Sequence, residues 1–240
     1  MSTKQFRQIT GLLFVIGAIL INIPYTLLIM NFDYPDILRA PTAEILTKFH
    51  AGGSPLIYTW LAFAWIGIPI LFGIIMLNQV LGKEKSPFLE TATTVGVVGG
   101  FVQIIGLLRW VFVIPVLARL FTDPTTDSAT KTAIPVVFIA VHQYGGVILG
   151  EHMGQFLTII WMSMISAIIY KSPIFDKWVA WLGWIASAVF ILAQTELFAT
   201  AIPNFPVIDW AGLYGSLLWL LWIIVIGVYL LKSNVEADNR

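Results

Sequence analysis

Six apolar runs, each about as long as a lipid bilayer is thick, leave this chain few folds to choose from. They lie at about 9–30, 55–79, 94–118, 145–169, 178–201 and 211–231. Each matches the ~20 residues a helix needs to cross the hydrocarbon core. No water meets a backbone N–H or C=O there, so a spanning segment closes its hydrogen bonds within a helix. The expected fold is all-α: a polytopic membrane protein, a six-helix transmembrane bundle forming a single integral membrane domain over residues 1–240. Composition agrees, with 58% hydrophobic and 11% charged residues and a mean hydropathy of +0.88; soluble domains carry about twice that charge. Thirteen basic and thirteen acidic residues cancel, which argues against nucleic acid as a partner. The absence of cysteine excludes disulfides, thiolate metal sites and thiol nucleophiles.

Basic residues set the expected orientation. With the N-terminus inside, inner segments hold Lys4, Arg7, Lys83, Lys85, Lys171, Lys177, Lys232 and Arg240, while outer ones hold Arg39, Lys48, Arg119 and Lys131. That excess places both termini in the cytoplasm and the protein in the cell membrane. The first run continues through Asn22 and Pro24 without a small-x-small cleavage site, so it reads as an uncleaved span. Between the first two runs lies polar sequence, 31–54, in which Thr42 to Phe49 is compatible with a short interfacial helix. Gly82 to Pro87 reads as a tight turn, and Pro24, Pro69 and Pro115 as helix kinks.

Against that apolar background the polar residues stand out, because ionisable groups in hydrocarbon cost several kcal/mol or more. The densest stretch is His142 to Gln155. Gly146, Gly150 and Gly154 recur there every fourth residue, a spacing that lets a neighbouring helix approach closely. Gly96, Gly99, Gly100 and Gly106 on the third run offer a matching face, and such faces also suit a second copy or a membrane partner. At ~100° per residue, Glu151, His152 and Gln155 share an arc of about 100°, with the glycines mostly opposite. Counting from the helix ends, Arg109 falls in the outer half of the third span and Glu151, His152, Gln194 and Glu196 in the outer third of the fourth and fifth, at similar depth, with His50 and His142 just above.

Arg109 keeps its charge and needs a carboxylate or a wet cavity, and Glu151 and Glu196 are the acids at that depth. The bland reading is an ion pair that fixes how helices pack; the functional one is a charged pocket wall. Metal ligands would come from His50, His142, His152 and Glu151, although His142 and His152 are about 15 Å apart along a helix and do not share one ion. Each histidine reads more readily as a hydrogen-bonded polar residue in an outer cavity than as a ligand. No phosphate-cradling loop, nucleophile elbow or zinc-protease helix occurs, and no cofactor is named by the residues.

The segments Gly106-Leu107-Leu108-Arg109-Trp110-Val111-Phe112-Val113-Ile114-Pro115, His142-Gln143-Tyr144 and Gly150-Glu151-His152-Met153-Gly154, with the opening Gly11-Leu12-Leu13-Phe14, resemble an uncharacterised prokaryotic family of six-span membrane proteins, a domain of unknown function. The resemblance implies a small helical membrane protein and no particular activity. The residues themselves point to an outward-facing intramembrane pocket. Arg109, Glu151, His152, Gln155, Gln194 and Glu196 would line it and bind or sense a small polar, anionic or metal-containing ligand. A proton-coupled transporter and a metal-dependent membrane enzyme stand as alternatives.

Overall fold

A computed structural model describes residues 2–82 and 88–232. The turn expected at Gly82 to Pro87 lies mostly outside the described residues, as does Arg240. The fold is all-α, with eleven α-helices among the described residues. Six helical stretches are long and apolar enough to cross a membrane: Thr3–Phe32, Thr42–Leu81, Leu89–Thr122, Ser128–Ile169, Lys177–Ala199 and Trp210–Lys232. The first four outrun the expected spans, at 30, 40, 34 and 42 residues.

Proline explains most of their interruptions. A proline lacks the N–H for its own helical bond and its ring crowds the carbonyl four residues back. Pro24, Pro69 and Pro115 follow breaks at Ile21, Ile66 and Val113, which divide α1 (Thr3–Leu20) from α2 (Asn22–Phe32), α3 (Thr42–Trp65) from α4 (Gly67–Leu81), and α5 (Leu89–Phe112) from α6 (Ile114–Thr122). The three expected kinks are therefore present. Residues 42–49 are helical as anticipated, but they open α3, which breaks at Gly53, where φ is +56°. Glycine takes such a φ without a Cβ clash. The fourth stretch comprises α7 (Ser128–Val141), a π-helical segment (His142–Met153) and α8 (Gly154–Ile169). It is followed by α9 (Lys177–Leu192), α10 (Gln194–Ala199) and α11 (Trp210–Lys232).

The chain gathers into two compact units. The first holds Met1–Ile19, Ile68–Phe101 and His152–Arg240. Its core is built on Phe14, Leu77, Trp161, Met162, Trp222 and Ile226. There α1 and α11 touch backbone to backbone, since a Cβ on Gly11 would lie 2.5 Å from the Gly227 carbonyl oxygen. The second unit holds Leu20–Gly67 and Val102–Glu151, around Phe32, Phe49, Trp60, Trp110 and Phe138. Within it a Cβ on Gly106 would lie 2.5 Å from the Gly150 Cα, so the third and fourth helical stretches approach closely at these glycines.

Candidate functional site

The charged cluster of the second unit is built around Arg109. Trp110 beside it is wholly buried, stacked on Trp60 at 4.8 Å and on Phe49 at 5.6 Å. This anchors α5 and holds the Arg109 guanidinium 5.2 Å over the Trp110 ring. Arg109 is 7% exposed, donates from Nη1 to the Gly106 carbonyl, and has no partner for Nε among the described residues. Its Nη2 lies 3.9 Å from Glu151 Oε1, an ion pair too long for a hydrogen bond. The other carboxylate oxygen, Oε2, accepts a 2.7 Å hydrogen bond from Arg39 Nη2.

Arg39 ends a short 3₁₀ turn, Asp36–Arg39, whose Ile37 and Leu38 are buried in the same core. An ion pair between Lys48 and Asp33 ties this connection to α3. Tyr34 sits there too, edge-on to Tyr25 at 5.5 Å and to Trp60 at 5.4 Å. Burial, reinforced by the Glu151 carboxylate, raises its phenol above the usual range, so it keeps its proton as a donor. Sequence reading did not bring Arg39 and Tyr34 to this place. The available signal was the apolar Ile37-Leu38 pair within otherwise polar sequence.

The π winding explains how Glu151 arrives. In an α-helix, residues five apart point about 140° away from each other. With i→i+5 bonding they stand roughly one above the other. Gly146 and Glu151 are such a pair, and both face Arg109: a Cβ on Gly146 would lie 2.5 Å from Nη2. The expectation that the glycines lie opposite Glu151 therefore fails for Gly146, which makes room for the guanidinium instead of a helix backbone.

His142 belongs to the same unit. It is buried, stacked on Phe138 at 5.3 Å and edge-on to Trp110 at 6.0 Å. Its ring comes near the Leu38 backbone without reaching good hydrogen-bond geometry. His50, on α3, is exposed. Among the described residues no three His, Asp or Glu side chains gather closely enough to hold a metal ion.

His152, Gln155 and Gln194 form a separate network within the first unit. His152 Nδ1 lies 2.6 Å from Gln194 Oε1, and Gln194 Nε2 donates to Gln155 Oε1 at 2.8 Å. An amide oxygen only accepts, so the proton sits on Nδ1. Phe156 stacks on the imidazole at 6.0 Å, and Phe198 meets it at 5.7 Å. Gln194 is buried and Glu196 exposed on the same short helix α10, since positions two apart point to nearly opposite sides. The acid within ion-pair distance of Arg109 is Glu151. Gly154 lies in this unit, its carbonyl oxygen 3.4 Å from where a Cβ on Gly99 would stand.

Two open grooves, of about 390 and 310 Å³, lie elsewhere: one at Gln5, Gln8, Ile9, Leu12 and Leu231, the other between α2 and α3 around Leu27 and Tyr58. Neither is lined by Arg109 or Glu151.

Comparison with known proteins places the chain in a family without assigning it an activity. No curated protein and no solved structure matches it. The model of one family, described as a domain of unknown function (DUF4386), matches residues 9–227, and the chain belongs to that family.

Proposed function

We propose that this multi-span membrane protein binds a small anionic molecule at Arg109, Arg39 and Glu151, with the Tyr34 hydroxyl as a further donor, on the outer side of the cell membrane. One observation carries the reading. Among the described residues Arg109 is a buried guanidinium with a single hydrogen-bond acceptor, the Gly106 carbonyl, and a carboxylate held off at 3.9 Å. A buried cation so sparsely satisfied favours an incoming acceptor. The outward orientation rests on the basic residues of the flanking segments. The test is titration of the purified protein with acetate, sulfate, phosphate and chloride, read by calorimetry. Arg109→Leu should abolish binding while leaving folded protein; if Arg109→Leu binds as well as wild type, the site lies elsewhere.

Transport of the anion is a second reading, favoured by the breaks at Ile21, Ile66 and Val113 and the π-helical segment. Discontinuous helices are a common feature of transporters. Uptake of the bound anion into proteoliposomes, with and without a pH gradient, separates a carrier from a receptor.

A further inference from the structure

We infer that the anion recognised at this site is a carboxylate, and that the Glu151 side chain is its internal stand-in. An arriving carboxylate displaces Glu151 from Arg109, while Arg39 keeps hold of it. The inference deepens the anion-binding reading and rests on it.

Three observations carry it. The group found between the two guanidiniums is itself a carboxylate, with one oxygen toward each: Oε2 to Arg39 and Oε1 to Arg109. Planar guanidinium forks match planar carboxylates better than spherical or tetrahedral anions. The contacts are unequal, 2.7 Å to Arg39 and 3.9 Å to Arg109. Releasing the longer one forfeits Coulomb attraction but no hydrogen bond. Side-chain exposure falls from 30% at Arg39 to 19% at Glu151 and 6% at Arg109, so the cluster runs from an open guanidinium, past the carboxylate, to a buried one with spare donors. A ligand arriving along that gradient meets Arg39 first, and Glu151 stands between it and Arg109.

The test uses the full chain in detergent, as wild type, Glu151→Gln and Glu151→Ala, titrated with acetate, propionate, chloride, sulfate and phosphate at fixed ionic strength. Removing a tethered competitor should tighten acetate and propionate binding to Glu151→Gln roughly tenfold. Glu151→Ala should unfold at a lower temperature than wild type, and propionate, but not chloride, should restore it. Unchanged or weaker carboxylate binding by Glu151→Gln overturns the inference, as does sulfate, phosphate or chloride binding as tightly as acetate; in either case the anion-binding reading stands. Failure of all five anions to bind any of the three proteins removes both. Where Glu151→Ala does not fold, Glu151→Gln decides alone.

Discussion

Gly146 is the residue on which the geometry around Arg109 turns. A methyl group there would stand 2.5 Å from Nη2, 2.7 Å from Cζ and 3.0 Å from Nε, against the whole face of the guanidinium. The arginine is stacked over Trp110 and tied to Gly106, so it has little freedom to retreat. Gly146→Ala should therefore destabilise the protein by about 1–3 kcal/mol, the usual cost of overpacking, and weaken anion binding with it. Thermal unfolding in detergent measures the first effect and calorimetry the second. Arg109 and Glu151 were legible from sequence because charge in an apolar run demands an explanation. Arg39 was not: an arginine in a polar connection needs none. The neighbouring residues His152 and Glu151 read as one constellation, yet the imidazole pairs with Gln194 and the carboxylate with Arg39.

At the scale of elements, helix positions followed from apolar runs and helix breaks from proline. Angular relations along the fourth span did not, because nothing in composition distinguishes α from π winding in a glycine-rich stretch. The π segment makes a sharp prediction. Deleting the exposed Ile148 removes one residue between Gly146 and Glu151, leaving them four apart. Four apart is the spacing that α winding places on one face, so the carboxylate should stay toward Arg109 and the response to acetate should survive. Inserting one alanine after Ile148 instead leaves them six apart and turns the carboxylate away. Leaving a buried charge without its partner costs about 3–5 kcal/mol, so the insertion should lower the unfolding midpoint, and acetate should restore it. A milder effect belongs to the start of α7. Asp127 caps it by accepting from the Thr130 backbone N–H at 3.0 Å and from the Thr130 hydroxyl at 2.7 Å. These bonds hold its carboxyl below the usual value of 3.8. A lowered folded value means the stabilisation is complete above 3.8 and is lost as pH falls through the lower one. Protection of the Thr130 amide, taken relative to its intrinsic exchange rate at each pH, should therefore fall in acid, and Asp127→Ala should show the low protection already at neutral pH.

For the whole molecule, the six-span all-α character was readable from hydropathy alone, since lipid permits so few alternatives. The lengths of the first three helical stretches were not, whereas residues 133–169 already read as about 37 residues of helix-compatible sequence. Polar residues such as Glu44 and Lys48 precede the apolar run without interrupting the helix, so Thr42–Leu81 extends well past its apolar part. Membrane sidedness rests on the basic residues and is open to direct test. The native chain has no cysteine, so single cysteines can be introduced without background. A membrane-impermeant maleimide should label Thr125→Cys in intact cells but reach the exposed Pro173→Cys only after lysis. The reverse pattern would turn the protein over.

Trp60 and Trp110 lie 4.8 Å apart with their rings 11° from parallel, buried and shielded from solvent. Two indoles so placed share their electronic excitation, and the Arg109 cation rests 5.2 Å from one of them. The protein thus carries its own optical reporter. Any molecule that draws the guanidinium toward itself should alter tryptophan fluorescence and near-ultraviolet circular dichroism, giving a label-free screen for whatever it binds.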